Sequence, residues 1–84
     1  MREILVGKKT IAEKEYNYSI LVQELWQETR MVCEEYGVCI RGKEEEMTIS
    51  GITVSADRIR SLAELLLRNR VTPISLPEIV EDWL

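Results

Sequence analysis

Residues 55–69 carry the pattern that most constrains how this chain can fold. Four apolar side chains recur there at the spacing of one helix face: Ile59, Leu62, Ala63 and Leu66. Ser55 is a candidate N-cap, Asn69 can adopt the left-handed conformation that ends a helix, and Pro73 prevents continuation. The sequence therefore predicts one main helix that covers an apolar surface built from the rest of the chain.

A second, shorter helix is predicted over residues 75–84. Ser75 and Glu78 have the spacing of a capping box, and an isoleucine stands at each position of a hydrophobic staple. A helix of about two turns is only marginally stable alone. Trp83 is therefore expected to anchor this helix on a core.

Four segments before residue 55 have strand-like patterns: residues 2–12, 16–26, 31–42 and 47–54. In the second segment, five large apolar side chains have even numbers and so share one face: Tyr16, Tyr18, Ile20, Val22 and Trp26. Leu21 and Leu25 lie on the opposite face. Gly51 changes the alternation in the fourth segment, which predicts a β-bulge there.

The order of these segments predicts an α+β fold. Short polar connections favour hairpins between consecutive strands, so residues 1–54 are expected to form a four-stranded antiparallel β-meander. The two α-helices, residues 55–69 and 75–84, follow the sheet and are expected to be packed on one face. With 84 residues, the chain is predicted to form a single domain, residues 1–84.

The C-terminal run RNRVTPISLPEIVEDWL, preceded by a helix and a strand-rich first half, resembles a family of short uncharacterised proteins from clostridia-like bacteria. The resemblance extends from about Tyr16 onward and includes Tyr36-Gly37-Val38 in a middle strand. Its most specific part is the turn Asn69-Arg70-Val71-Thr72-Pro73, and residues 33–46 match least well. A family of unknown function implies no catalytic residue, cofactor or partner.

Charge and hydrophobicity disfavour several classes of partner. The net charge is −4 and no segment is strongly basic, so nucleic acid and anionic membranes are disfavoured. The apolar run at residues 4–6 is too short for a signal peptide, and no stretch reaches the roughly 20 apolar residues of a membrane span. A cytoplasmic location is expected, in which Cys33 and Cys39 stay reduced as structural thiols.

The residue types needed for most catalysis are missing. The sequence has no histidine, which is the side chain most used for acid–base chemistry near neutral pH and the commonest metal ligand. Two cysteines cannot complete a tetrahedral zinc site, the acidic runs lack a calcium-loop pattern, and there is no glycine-rich phosphate loop. We expect no catalytic residue, cofactor or metal; an enzyme that uses a thiol or carboxylates is the alternative.

The main helix and the residue after it carry the only basic cluster, Arg58, Arg60, Arg68 and Arg70. One interpretation is a helix face that binds nucleic acid or another anion. The other is a solvated face in which Glu64 pairs with the arginines one turn away and the last arginines complement the helix dipole.

The leading prediction is a non-enzymatic protein–protein interaction module with an unknown partner. The candidate contact residues are Leu21, Leu25, Arg58, Arg68 and Trp83. Both sheet faces carry large apolar side chains and both helices are expected on one face, so the other face is expected to expose an apolar patch. A homodimer through that face or through a sheet edge is the expected cover.

Overall fold

The computed structural model describes every residue from Met1 to Leu84. The first half of the chain is one sheet of four antiparallel strands in sequence order: β1, Arg2–Ile11; β2, Lys14–Gln27; β3, Arg30–Gly42; and β4, Glu46–Thr53. The second half contains α1, Ala56–Arg68; a 3-10 turn, Pro73–Ser75; and α2, Leu76–Trp83. The predicted α+β fold, a β-meander followed by two helices, is confirmed.

Tight turns join the strands into hairpins. Ala12 and Glu13 connect β1 to β2, and both have positive φ angles, 50° and 68°. Two left-handed residues match the right-handed twist of the strands in a two-residue hairpin. Glu28, with a φ of 58°, begins the turn between β2 and β3. The meander therefore follows from local turn geometry as well as from the apolar pattern.

Both helices cover the same face of the sheet and enclose one hydrophobic core. Its buried side chains are Tyr16, Tyr18, Ile20, Val22, Val38, Ile40, Ile59, Leu62, Ala63, Leu66, Val71, Leu76 and Val80. The predicted helix stripe and the predicted even-numbered face of the second strand are both present in this set, apart from Trp26. Removal of these side chains from water is the main favourable term in folding.

The segment between the two helices is tied to the centre of the sheet by Tyr18. The hydroxyl of this buried side chain donates a hydrogen bond of 2.8 Å to the carbonyl oxygen of Val71. Buried polar groups need such partners because they have lost water. The bond therefore satisfies both groups and fixes the position of the segment from which α2 starts.

The start of α1 matches the prediction, whereas its end does not. The hydroxyl oxygen of Ser55 accepts a hydrogen bond of 3.2 Å from the N–H of Arg58, as an N-cap does. The left-handed residue after the helix is Arg70, with a φ of 52°, and Asn69 has a φ of −90°. The prediction of a left-handed Asn69 is wrong, because the chain reverses one residue later.

The capping box predicted at Ser75 is also wrong. Ser75 ends the 3-10 turn with helical backbone angles, and its side chain caps no backbone N–H. Its hydroxyl instead accepts a hydrogen bond of 3.3 Å from the hydroxyl of Thr72. The hydrophobic staple fails as well, since Ile74 is 83% exposed. Packing holds α2 in place, with Trp83 half-buried against the core as predicted.

Strands β2 and β3 continue beyond the rest of the domain. The pairing of β1 with β2 starts at Arg2 opposite Val22, and the pairing of β4 with β3 ends at Thr53 opposite Tyr36. Past these pairs, residues 23–35 form a two-stranded projection, which we call the ribbon. The fourteen residues of β2 span about 46 Å at about 3.3 Å each, and the longest dimension of the molecule is also 46 Å.

Candidate functional site

The ribbon exposes three large apolar side chains near its tip. Trp26 is 58% exposed, Met31 is 44% exposed and Val32 is 59% exposed. Trp26 and Met31 are cross-strand partners, so their side chains share a face. Trp26 has the even number of the buried side chains of β2 but is not part of the core, because the ribbon lies outside the core that the helices enclose.

The two edges of the ribbon differ in regularity. The register between β2 and β3 shifts between Leu25 and Trp26, where Val32 of β3 is left without a partner. Such a β-bulge interrupts the even spacing of main-chain groups along the bulged strand. Residues 23–27 of β2 have no inserted residue and no neighbouring strand on their outer side. This part of β2 is therefore a free edge with regular strand geometry.

The ribbon is acidic. Residues 23–35 contain four glutamates and one arginine, a net charge of −3. Glu24 and Glu34 are direct cross-strand partners, which is an unfavourable like-charge pair. Arg2 lies 2.6 Å from one carboxylate oxygen of Glu34, and the hydroxyl of Tyr36 donates to the other at 3.1 Å. Glu24 forms no ion pair, so its charge on the free edge is not compensated within the chain.

The sheet face opposite the helices is not the apolar patch that the sequence predicts. Leu21 is only 4% exposed and Cys39 is buried. Arg41 of β3 reaches across this face and lies 2.7 Å from Glu3 of β1 and 2.7 Å from Glu46 of β4. Hydrogen bonds to Glu46 and Glu3 raise the pKa of Arg41. The prediction of an exposed Leu21 is wrong, because ionised side chains from neighbouring strands close over this face.

Both cysteines are free thiols, as predicted. Cys39 is buried and accepts a hydrogen bond of 3.4 Å from the hydroxyl of Thr48, and burial raises the pKa of its thiol. A raised pKa lowers the fraction of thiolate, which is the form that attacks substrates and binds metals. Cys33 is half-buried on the ribbon. No group of three Asp, Glu or Cys side chains comes together as a metal site.

The arginines of α1 lie in exposed positions with different surroundings. The guanidinium of Arg58 stands over the ring of Trp83, 4.4 Å from its centroid, in a cation–π contact that joins α1 to α2. Arg68 is exposed at the end of α1. The ion pairs predicted between Glu64 and its neighbouring arginines are not formed, since all three ion pairs of the molecule lie on the sheet.

A polar cleft of about 640 Å³ lies at the end of the sheet away from the ribbon, between the β1–β2 turn and the β3–β4 turn. Its lining mixes lysine and arginine with glutamate, so it favours neither sign of charge. The hydroxyl of Tyr16 donates a hydrogen bond of 2.5 Å to Glu45 at its wall. This bond, together with burial, raises the pKa of Tyr16.

The whole chain, residues 1–84, matches the model of a family of unknown function, DUF6514. The chain belongs to the DUF6514 family. The match includes residues 1–15, which the resemblance noted in the sequence does not cover. No curated protein and no solved structure matches this DUF6514 chain. Neither of its helices is long and apolar enough to cross a membrane.

The structure separates the contact residues that the sequence predicts for this DUF6514 chain. Leu21 lies under the polar face of the sheet, whereas Arg58, Arg68 and Trp83 belong to the helices on the other face. Leu25 is half-buried on the ribbon and is the only predicted contact residue there. The exposed side chains beside it were not predicted from the sequence. The available signal was length, because a helix of thirteen residues cannot cover strands of fourteen and thirteen residues.

Proposed function

We propose that this DUF6514 chain is a non-enzymatic protein-binding module and that the ribbon is its contact surface. The observation that carries the proposal is the exposure of Trp26, with Met31 and Val32 beside it, on a projection outside the core. Tryptophan and methionine are enriched at the centres of protein interfaces. A cluster of exposed large apolar side chains on a small domain is typical of an interaction site.

The base of the ribbon supports this role because it is fixed to the sheet. Val22 and Tyr36 are the last residues at which the two inner strands pair with β1 and β4. The ion pair between Arg2 and Glu34 connects β1 to β3 beside this boundary. An anchored projection loses less conformational entropy on binding than a mobile loop does, so the ribbon is suited to present its tip to a partner.

The buried thiol of Cys39 supports a non-enzymatic role. Cys39 has the raised pKa of a buried thiol, whereas nucleophilic cysteines have a lowered pKa. Reduced, unpaired Cys33 and Cys39 also fit a cytoplasmic location, which is part of the same proposal.

Quantitative affinity capture tests the proposal with two matched variants. The chain carries its tag after Leu84, so that β1 and the ribbon stay free, and is captured from cells that express it. Trp26→Ser removes the central apolar side chain of the ribbon. Ile74→Ser makes a similar change at a residue that is exposed outside the ribbon. We expect a protein that is enriched with the native chain and with Ile74→Ser, and lost with Trp26→Ser. Capture of the same proteins by both variants would contradict the proposal.

The predicted homodimer is a narrower form of this proposal. The face that Arg41 crosses carries ion pairs and only one large exposed apolar side chain, Leu5, which favours a sheet edge as the surface for a second copy. Light scattering during size exclusion distinguishes the two cases. A mass twice the 9.8 kDa of the chain, lost in Trp26→Ser, would identify the partner as a second copy. A mass of 9.8 kDa at all concentrations would require a different protein.

A second candidate function is the binding of nucleic acid or another anion through α1. The observation in its favour is that Arg60, Arg68 and Arg70 form no ion pair, although Glu64 lies on the same helix. The net charge of −4 opposes it. A gel shift of DNA or RNA at low salt, lost in the Arg60→Gln/Arg68→Gln variant, would favour this function over protein binding.

A further inference from the structure

We propose that the free edge of β2, residues 23–27, binds an extended peptide segment with a basic residue two positions from an apolar residue. The inference rests on the proposed function and adds the chemical class of the partner. It combines three features that occur together on this edge: unpaired main-chain groups, an uncompensated carboxylate and an exposed indole ring.

The main chain of β2 is available along this edge. Beyond Val22, β2 has β3 on one side and no strand on the other. A free strand edge presents N–H and C=O groups that an extended peptide can pair with, which is how β-augmentation provides affinity. The corresponding edge of β3 is interrupted by the bulge at Val32. The edge of β2 is therefore the better template for another strand.

The carboxylate of Glu24 selects a basic residue in the incoming strand. Glu24 stands opposite Glu34, and the negative charge of Glu34 is already compensated by Arg2 at 2.6 Å. An arginine or lysine on the outer side of Glu24 would form a charge-assisted hydrogen bond with it. The same cation would reduce the repulsion between the two glutamates.

Trp26 selects the apolar residue. Side chains two positions apart on a strand share a face, so Trp26 lies on the same face as Glu24. If one residue of an incoming strand lies beside Glu24, the residue two positions further along that strand lies beside the indole of Trp26. An aliphatic side chain gains buried area there. The residue between them faces the other side, towards Leu25.

Charge disfavours a second ribbon as the occupant of this edge. Two ribbons of net charge −3 would bring like charges together. A basic peptide instead matches the acidic surface and is attracted to it over about 8–10 Å at moderate salt. The edge is therefore assigned to a basic partner strand rather than to a second copy of itself.

Titration of the isotope-labelled chain by NMR tests the inference. The probes are three nonapeptides with blocked termini. Each has threonine on both sides of its central residue and valine two positions away from that residue in both directions. The central residue is arginine, glutamine or glutamate. We expect the arginine peptide to bind most tightly and to shift the amide signals of residues 23–27 more than those of residues 31–35.

Two charge variants on the same strand make the test specific. Glu24→Gln is expected to weaken binding of the arginine peptide by about threefold to tenfold and to remove its advantage over the glutamine peptide. Glu15→Gln makes the same change at the far end of β2 and is expected to leave the binding constants unchanged. Trp26→Ala is expected to weaken the binding of all three peptides.

Several results would overturn the inference. They are equal affinities for the three peptides, no shifts at about 1 mM peptide, and shifts confined to residues 31–35. Concentration-dependent shifts of the ribbon amides without peptide would show that a second copy is the occupant. If capture still depends on Trp26 while the peptide preference fails, only the class of partner is wrong. If capture does not depend on Trp26 and the arginine peptide is not preferred, the proposed function is wrong as well.

Discussion

The hydroxyl of Tyr18 donates a hydrogen bond of 2.8 Å to the carbonyl oxygen of Val71. This is the one hydrogen bond of a buried side chain that joins the centre of the sheet to the connection between the helices. It ties the connection that leads into α2 to the covered part of β2, whereas Trp26, on the outer part of that strand, lies outside the core.

Loss of this bond is expected to destabilise the domain. Tyr18→Phe keeps the ring but leaves the carbonyl of Val71 without its donor, which should lower the free energy of unfolding by about 1–2 kcal/mol. Urea titrations measure the difference. Tyr36→Phe removes a hydroxyl whose bond to Glu34 is only partly buried and should cost less. Equal losses of stability in the two variants would mean that the buried bond contributes no more than the partly buried one.

The N-cap of α1 should matter more than the serine before α2. Ser55→Ala frees the first-turn N–H of Arg58 and should lower the free energy of unfolding by about 1 kcal/mol. Ser75→Ala removes no cap and should change it by less than about 0.5 kcal/mol. The urea midpoints of the two variants show which serine contributes more to stability. A larger loss of stability from Ser75→Ala than from Ser55→Ala would indicate that Ser75 caps α2.

The inward face of α1 should not tolerate charge. Leu66 is buried in the core, so Leu66→Asp places an unpaired carboxylate there and should cost about 4 kcal/mol or more. Ser61→Asp adds the same side chain at an exposed position of the same helix and should leave a cooperative thermal transition. A folded Leu66→Asp variant would mean that another face of α1 packs on the sheet.

Stability should fall at alkaline pH. Burial raises the pKa of Tyr18 above its ordinary 10.0 and the pKa of Cys39 above its ordinary 9.0. Above those ordinary values the unfolded chain loses these protons before the folded chain does. Stability is therefore complete below about pH 9 and decreases as the pH rises further. Urea midpoints between about pH 8 and about pH 10.5 should fall for the native chain and fall less for the Tyr18→Phe/Cys39→Ala variant. A midpoint that rises over this range would contradict the assignment.

The two thiols should remain unlinked. Cys33 and Cys39 are six positions apart on β3, about 20 Å along an extended strand, whereas a disulfide needs Cα atoms within about 7 Å. Alkylation of denatured protein without reductant should give two adducts. In native protein, Cys33 should react first because Cys39 is buried. A mass lower by two hydrogens and without adducts would show a bridge.

The fold could be predicted from the sequence because its strongest signals are periodic. The even-numbered apolar side chains of residues 16–22 and the stripe through Leu62 and Leu66 belong to elements that face each other in the core. The end of α1 and the start of α2 could not be predicted, because several residues near a turn can reverse the chain. Arg70 took the left-handed position predicted for Asn69, and a 3-10 turn replaced the capping box at Ser75.

The exposed faces were harder to predict than the elements. The odd-numbered residues of β2 look apolar at Leu21, but the ion pairs of Arg41 close over that face, and such pairs depend on register. The ribbon results from the different lengths of the helix and the strands. The thirteen residues of α1 span about 20 Å at about 1.5 Å each, which is less than half the length of β2. Trp26 has the parity of a core residue but lies past the reach of the helix.

Photocrosslinking inside expressing cells tests whether the ribbon is the contact surface. A benzophenone amino acid replaces Trp26 in one variant and Ile74 in another, since both side chains are exposed but only Trp26 lies on the ribbon. We expect a discrete protein adduct from position 26 and none from position 74. The same adducts from both positions, or an adduct from position 74 alone, would contradict the assignment of the ribbon as the contact surface.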